Sequence, residues 1–209
     1  ISASGHINNP GVYEIEMGIT VEDFIYSNDY CGGIKNGKKL KAVVAGGSSV
    51  PILPADLILT TAKGEKRLMS YESLADGGFQ TGTMLGSGGF IVLDETASIV
   101  KNLWNFTRFY HHESCGQCSP CREGTGWMEK ILHRILDGHG KQSDVDLLWD
   151  IQTKIDGKTI CPLGEAASWP VASAIRHFRA EFEDYVNNPK NIKDEKHYYN
   201  VRNEKAPVA

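Results

Sequence analysis

The sequence predicts an α+β protein, with a β-rich first half and a helical second half. Residues 1–95 hold 15 of the 22 glycines, together with short apolar runs that are typical of strands between tight turns. Residues 96–187 instead place apolar side chains at the spacing of amphipathic helices. Residues 188–209 are polar and show no apolar period. We therefore expect a domain at 1–95, a second domain at 96–187 and a polar C-terminal tail at 188–209.

Several features of the first half predict its strands and its first helix. Residues 5–15 are predicted to form two strands joined by an Asn-Asn-Pro-Gly turn, because Pro presets φ and Gly tolerates a positive φ. Thr20 is placed to cap a short helix at residues 21–26. The apolar runs at 42–45 and 90–93 have glycines beside them, which is typical of buried strands. Strands with one short helix on a face make a small α+β unit.

The second half opens with three amphipathic segments. Ser98 is placed to cap the first segment. The second segment runs over residues 123–136 with an apolar stripe and ends at Gly138. Either Ser143 or Asp144 is placed to cap the third segment.

A fourth helical segment covers residues 165–186 and is stopped by Asn188 and Pro189. Pro170 lies five residues into this segment, where it should kink the helix or mark its true first turn. Four amphipathic helices with short links predict a helical bundle.

Composition and charge limit the possible functions. Apolar residues make up 41% and charged residues 23% of the 209 residues, which is typical of globular domains and not of disordered chains. The formal net charge is −4, so the chain lacks the basic surface expected of a nucleic-acid-binding protein. Its longest apolar runs have only a few residues, so we expect no direct membrane span.

The strongest chemical signal comes from the five cysteines, Cys31, Cys115, Cys118, Cys121 and Cys161. Three of them form a C-x2-C-x2-C run, which can deliver three thiolates to one compact object. Cys161 follows 40 positions after Cys121 and precedes a proline. A [4Fe–4S] cluster takes four Cys ligands, commonly three from such a run and one remote Cys before Pro. The pattern therefore favours a [4Fe–4S] cluster held by Cys115, Cys118, Cys121 and Cys161.

Two other uses of the cysteines are less favoured. Zinc would take the same four thiolates, but structural zinc usually shows two separated C-x2-C pairs. Disulfides fit poorly with an odd number of cysteines, four of them in patterned positions. Cys31 lies outside the pattern and is expected to be a buried, small apolar residue.

Residues around the cysteine run also bear on a metal site. Gly116, Gly124 and Gly126 are expected to let backbone N–H groups approach the sulfurs, and such bonds help to set a reduction potential. Arg122 follows the third cysteine, where its charge can offset that of a thiolate-bound cluster.

Two glycine-rich loops, residues 46–49 and 86–89, can in principle bind an anion through backbone amides. Neither loop matches a nucleotide-binding motif, so turns are the favoured interpretation. No Ser-His-Asp set and no paired-carboxylate motif stands out, and we assign no catalytic residue. The residues alone thus predict an electron carrier or a structural metal module.

The segment ESCGQCSPCREGT at residues 113–125 resembles the NADH-binding flavoprotein subunit of respiratory complex I, NADH:quinone oxidoreductase, which is called the F subunit in bacteria. The resemblance covers about residues 4–186 in family order. Its other recurring segments are residues 4–14, 46–49, 85–89 and 160–166.

This resemblance implies a ubiquitin-like β-grasp domain, of the soluble-ligand-binding type, followed by a four-helix-bundle [4Fe–4S] domain. In that family NADH gives hydride to FMN, and electrons then pass singly to the cluster. The ligands implied here are Cys115, Cys118, Cys121 and Cys161. No segment of this chain corresponds to the flavin-binding half, so the chain should not oxidise NADH by itself. The chain opens at Ile1 without an initiator Met, so we expect it to be a piece of a longer polypeptide, and the resemblance implies that this piece is the C-terminal half of the subunit.

The implied partners are the FMN- and NADH-binding N-terminal half, a [2Fe–2S] thioredoxin-like subunit and the large Fe–S subunit of the peripheral arm. Through them the chain would lie on the cytoplasmic or matrix side of an energy-transducing inner membrane and pass electrons towards quinone. Diaphorase subunits of NAD-linked hydrogenases and formate dehydrogenases share this architecture and are the first alternative. A zinc-stabilised structural interaction module is the alternative from another class.

Overall fold

The computed structural model describes residues 1–189, so the predicted tail at 188–209 lies almost wholly outside the described residues. Its five strands are β1 (Ser2–Gly5), β2 (Gly11–Val12), β3 (Leu40–Ala45), β4 (Ile52–Pro54) and β5 (Gly89–Asp94). They form one sheet in the order β2-β1-β5-β3-β4. β1 runs parallel to β5, and the other neighbouring strands are antiparallel. A mixed sheet followed by helices confirms the predicted α+β class.

The predicted strand–turn–strand unit at residues 5–15 is confirmed only in part, because β1 and β2 do pair, with Ser2 opposite Val12. β1 ends at Gly5 and so lies before most of the predicted first strand, and β2 has only two residues. The predicted strands at 42–45 and 90–93 are also confirmed, because they lie within β3 and β5.

Short helices connect the strands. α1 (Val21–Tyr26) is capped by Thr20 as predicted, since the Thr20 Oγ1 accepts a hydrogen bond from the Asp23 N–H at 2.9 Å. Three further helices are not predicted by the sequence, namely α2 (Ala55–Leu59), α3 (Tyr71–Ala75) and α4 (Gly78–Thr81). Each has only four or five residues, which is too short to show an apolar period.

One fully buried side chain, Arg67, organises the connection from β4 to β5. Its guanidinium donates hydrogen bonds to backbone carbonyls of α2, α3 and α4: Leu57 at 2.9 Å, Ser73, Leu74 at 3.2 Å and Thr81 at 2.9 Å. Burial lowers the pKa of Arg67, and the charge of Asp76 partly offsets that effect. Carbonyls in the last turn of a helix lack intrahelical partners, so the arginine supplies the donors that these helices need.

The second half forms four long helices, α5 (Ile99–Glu113), α6 (Ser119–Leu136), α7 (Gln142–Ile155) and α8 (Leu163–Asn187). α5 packs on α6 and α8, and α7 packs on the same two helices. The predicted four helical segments are thus confirmed. Among the described residues, no helix has the length and apolar character needed to cross a membrane.

The helix starts agree with the sequence in one case and differ in another. Ser98 caps α5 as predicted, with its side chain accepting the Lys101 N–H at 3.1 Å. The predicted capping of the third helix by Ser143 or Asp144 is wrong, because Lys141 is the N-cap residue of α7. Asp144 lies one turn inside, where its carboxylate accepts the Lys141 N–H at 2.8 Å. Its carboxylate therefore still satisfies a free N–H group at the helix start.

Pro170 lies inside the fourth helix and does not open it. α8 begins at Leu163, and its backbone leaves helical dihedral angles at Phe178 (φ −129°, ψ 23°) instead. The Ser173 hydroxyl donates to the Pro170 carbonyl at 3.0 Å and accepts the Ile52 N–H of β4 at 2.8 Å. The expectation that Pro170 marks the first turn is therefore wrong, and the backbone keeps helical dihedral angles at the proline itself.

Both faces of the sheet are buried. Alternate residues of a strand point to opposite faces. Val43 and Ala45 of β3 belong to a core with α1, whereas Ala42 and Val44 belong to a core with α5, α6, α7 and α8. One face of the sheet therefore shares a hydrophobic core with the four long helices, and the other face shares a second core with α1.

Candidate metal centre

The four predicted cysteine ligands lie at one end of the four helices. Cys115 is in the loop from α5 to α6, Cys118 is the N-cap residue of α6, and Cys121 lies in its first turn. Cys161 lies in the loop from α7 to α8. The two loops meet where the Ile160 N–H donates to the Cys118 Sγ at 3.4 Å. The out-and-back path of α6 and α7 thus returns the chain to the cysteine run.

The four thiols differ in burial and act on one another. Cys121 is buried, Cys118 is half-buried, and Cys115 and Cys161 are exposed. Burial raises the pKa of the Cys121 thiol, a hydrogen bond with Ser114 lowers it, and the charges of the other three cysteines raise it further. Four neighbouring thiolates repel, so a positively charged metal group is needed to hold all four deprotonated.

The four thiols offer the donors that a [4Fe–4S] cluster requires. Within residues 1–189, no three or more His, Cys, Asp or Glu side chains are placed to hold a single metal ion. Zinc at about 2.3 Å from each of four sulfurs would bring these sulfurs to about 3.8 Å from one another in a tetrahedron. A [4Fe–4S] cluster is larger and is held by four cysteine thiolates. The donor set therefore fits the cluster in number and chemistry.

Arg122 holds the cysteine loop in place. Its Nη1 donates to the Gly116 carbonyl at 2.8 Å, and its Nε donates to Glu123 at 2.9 Å. Gly116 has φ +80°, a conformation that favours glycine. The guanidinium thus stays beside the loop, where its charge can offset that of thiolates.

Gly124 and Gly126 allow close helix packing. A Cβ atom on Gly124 would lie 2.7 Å from the Ile155 Cδ1 of α7, and one on Gly126 would lie 2.9 Å from the His111 Nε2 of α5. Both glycines lie inside α6, where backbone N–H groups bond within the helix. The expectation that they bring N–H groups to sulfur is wrong, and the Ile160 N–H makes such a contact instead.

A serine that the sequence pattern does not single out contacts one of the cysteines. Ser114 is the C-cap residue of α5, and its Oγ lies 3.2 Å from the Cys121 Sγ. The Thr125 hydroxyl donates to the Cys121 carbonyl at 2.7 Å and supports the first turn of α6. The only sequence signal for Ser114 is its place directly before the cysteine run, which does not show where its hydroxyl lies.

Cys31 lies apart from the centre, as predicted. It is fully buried in the core that contains α1. Burial raises the pKa of its thiol to about 11, so this cysteine stays protonated near neutral pH. Its expected role as a small buried apolar residue is confirmed.

The two glycine-rich loops pair with each other. The N–H groups of Gly46 and Gly47 donate to the Gly89 carbonyl at 2.7 and 2.8 Å, and the Ser87 N–H donates to the Gly46 carbonyl at 3.2 Å. These amides are already bonded within the protein. The interpretation of both loops as turns is therefore confirmed.

Comparison with known proteins first defines the class, an iron–sulfur protein. Residues 101–185 match the family model described as the NADH-ubiquinone oxidoreductase-F iron-sulfur binding region. This range contains all four predicted ligands. Residues 1–91 match the model of the SLBB domain. The matches confirm the predicted [4Fe–4S] cofactor, and the choice of ligands stays a prediction.

Sequence relatives then show which proteins the chain is similar to over most of its length. The NADH-quinone oxidoreductase F subunit of Rickettsia akari (strain Hartford) is 44% identical over 186 residues, which cover 88% of this chain and 41% of the relative. An F subunit of the same enzyme in Rhizobium meliloti (strain 1021) is 41% identical over 187 residues, which cover 89% of this chain and 40% of the relative. Over most of its length the chain is similar to NADH-quinone oxidoreductase F subunits, and it spans about two fifths of the length of these relatives.

A solved structure shares the fold. The NAD+-reducing [NiFe]-hydrogenase in the H2-reduced state contains a chain that is 28% identical, with a TM-score of 0.71. The alignment covers 88% of this chain and 28% of the hydrogenase chain.

Proposed function

We propose that this chain is the electron-transfer part of the NADH dehydrogenase module of an NADH:quinone oxidoreductase. The observation that carries the proposal is the meeting of Cys115, Cys118, Cys121 and Cys161 at one end of four helices. The match of residues 101–185 to an iron–sulfur binding region supports it.

In this proposal the four cysteines hold a [4Fe–4S] cluster. When bound, the cluster would accept electrons singly from FMN reduced by NADH and release them towards quinone. The chain itself holds the cluster through its thiolates, places the charge of Arg122 beside them, and shields Cys121 from water.

The proposed architecture is a ubiquitin-like β-grasp domain at 1–95 followed by a four-helix-bundle [4Fe–4S] domain at 96–187. The mixed sheet with α1 on one face and the mutual packing of α5, α6, α7 and α8 support this division. FMN and NADH would bind in the remaining part of the subunit. The present chain would not oxidise NADH alone, and no residue in it is given a catalytic role.

The proposed partners are the flavin- and NADH-binding half, the [2Fe–2S] thioredoxin-like subunit and the large Fe–S subunit of the peripheral arm. These partners would hold the chain on the cytoplasmic or matrix side of an energy-transducing inner membrane. The exposure of Cys115 and Cys161 supports such contacts, because a cluster at these residues would need a covering surface.

A diaphorase subunit of an NAD-linked hydrogenase is the second candidate. The likeness to the NAD+-reducing [NiFe]-hydrogenase favours it, at 28% identity and a TM-score of 0.71. The two relatives from NADH-quinone oxidoreductases are 41% and 44% identical, so quinone is the preferred acceptor.

Metal and sulfide analysis of the anaerobically purified chain tests the proposal. We expect about four irons and four sulfides per chain and an S = 1/2 EPR signal after reduction with dithionite. One tightly bound zinc without sulfide, with failed reconstitution by iron and sulfide, would contradict the proposal and favour a structural zinc module. Copurification with the quinone-reducing complex or with a hydrogenase would distinguish the two acceptors.

A further inference from the structure

We propose that Ser114 raises the reduction potential of the cluster by donating a hydrogen bond to the thiolate of Cys121. This inference rests on the proposed function, since it requires Cys121 to be a cluster ligand. Ser114 would be a positioning residue, because its hydroxyl acts on the cluster through the cysteine.

The two residues are held by separate helices. Ser114 ends α5 and is half-buried, whereas Cys121 lies in the first turn of α6 and is buried. The two helices pack against each other, and the distance from Oγ to Sγ is 3.2 Å. This distance suits a hydrogen bond to sulfur and depends on the packing of α5 against α6.

Ligation fixes the direction of this hydrogen bond. Between a thiol and a hydroxyl either group can donate. A ligating cysteine is a thiolate and has no proton to give. The Ser114 hydroxyl must then be the donor. This direction of the hydrogen bond needs only a rotation of the hydroxyl hydrogen, with oxygen and sulfur at the same distance.

Cys121 is distinguished from the other ligands by this contact. Within residues 1–189, Ser114 is the only side chain that hydrogen-bonds to any of the four thiols, and Cys118 receives a backbone N–H from Ile160 instead. Cys121 is also the buried member of the set. A hydrogen bond is stronger where water is scarce, so its effect on the thiolate is not lost to solvent.

The sign of the effect follows from charge. Reduction adds one electron and makes the thiolates more negative. A hydrogen-bond donor stabilises the more negative state more strongly, so it makes reduction easier. Loss of the Ser114 hydroxyl should therefore shift the midpoint potential to a more negative value.

The test compares the wild-type chain with Ser114→Thr and Ser114→Val, each loaded with the cluster. Thr and Val have nearly the same shape, and only Thr keeps a hydroxyl. Midpoint potentials come from redox titrations monitored by EPR. We expect the midpoint potential of Ser114→Val to be more negative than that of the wild type. The midpoint potential of Ser114→Thr should remain close to the wild-type value. Ser143→Ala removes an exposed hydroxyl at the far end of α7 and should leave the potential unchanged.

Iron and sulfide content separates failure of this inference from failure of the proposed function. Equal midpoint potentials in fully loaded wild type, Ser114→Thr and Ser114→Val would overturn the proposed role of Ser114 but not the proposed function. A wild-type chain that takes up neither iron nor sulfide would overturn the proposed function as well.

A second measurement applies if Ser114→Val does not hold a cluster. Electron–nuclear double resonance of the reduced wild type and of Ser114→Thr, in H2O and in D2O, should detect an exchangeable hydroxyl proton coupled to the cluster. A hydroxyl proton exchanges faster than the amide proton of Ile160, so the rate of exchange distinguishes the two. Absence of a rapidly exchanging coupled proton in both proteins would overturn the inference.

Discussion

Glu181 of α8 lies 2.7 Å from Lys41 of β3, measured from Oε2 to Nζ. The other carboxylate oxygen of Glu181 accepts the Ile99 N–H at 2.7 Å, at the start of α5. The Lys41 ammonium also donates to the Ala97 carbonyl at 2.6 Å. One carboxylate therefore joins the sheet to two of the helices that carry the metal centre.

Replacing Glu181 by Ala should lower the free energy of unfolding by about 1–3 kcal/mol, because partly buried donors on Lys41 and Ile99 lose their acceptor. Urea denaturation monitored by circular dichroism measures this change. Glu183→Ala is the matched control, since Glu183 only pairs with Arg179 one turn away on the same helix. That loss should be about 0.5 kcal/mol. Equal losses in the two variants would show that the tie between sheet and helices adds no more stability than an exposed ion pair.

Replacing Cys161 by Ser should abolish or convert the cluster and lower the thermal midpoint of the loaded protein, because ligation is coupled to folding. Iron and sulfide analysis with thermal denaturation measures both effects. In the metal-free protein the same change should have little effect, since Cys161 is exposed. Cys31→Ser should keep the iron content. Equal loss of iron in Cys31→Ser and Cys161→Ser would disprove the ligand assignment.

Replacing Gly124 by Ala should destabilise the protein, although Ala usually stabilises a helix by about 1 kcal/mol relative to Gly. The new Cβ atom would lie 2.7 Å from Cδ1 and 2.8 Å from Cγ1 of Ile155. Such overpacking costs about 1–3 kcal/mol. A double-mutant cycle with Ile155→Val, which removes Cδ1, should show favourable coupling. If the effects of the two substitutions on stability simply add, the cost of Gly124→Ala does not come from crowding against Ile155.

The contact between Arg134 and Asp144 should make stability depend on pH in acid. Burial alone raises the pKa of Asp144, but hydrogen bonds from Arg134 and the Lys141 N–H, together with their charges, lower it overall. A lowered pKa gives stability that is present above the unfolded value of about 3.9 and is lost as the pH falls through the folded value. Thermal midpoints of wild type and Asp144→Asn should therefore differ most near neutral pH.

The thermal midpoints of wild type and Asp144→Asn should converge below about pH 4, where Asp144 becomes protonated in the unfolded and then in the folded protein. Asp150→Asn is the control, because the pair of Asp150 with Lys154 is exposed and its loss should change the thermal midpoint little. A difference between wild type and Asp144→Asn that stays constant from neutral pH into acid would contradict the role of the carboxylate charge.

The sequence predicts those features whose cause is local. Thr20 and Ser98 cap helices because a hydroxyl precedes an amphipathic run, and both are found as caps. The four long helices show an apolar stripe over three or more turns, so their period is readable. The C-x2-C-x2-C run is local too, and the general pattern of cluster sites links the fourth cysteine to it.

Other features depend on contacts between distant segments. Arg67 lies in a polar stretch with no apolar period, and only the folded chain shows its guanidinium among carbonyls. Lys141 as the N-cap of α7 could not be read from propensity, because Ser143 and Asp144 are better capping residues. The contact of Ser114 with Cys121 requires α5 to pack on α6. Tertiary packing therefore decided each of these features.

The buried guanidinium of Arg67 has a consequence for the connection from β4 to β5. Its hydrogen-bond acceptors are neutral carbonyls, and an arginine remains protonated in proteins. Neither side of these contacts titrates between mild acid and mild alkali, and burial shields them from the ions that weaken exposed pairs. The arrangement of α2, α3 and α4 should thus remain the same when ionic strength or proton concentration changes around the protein.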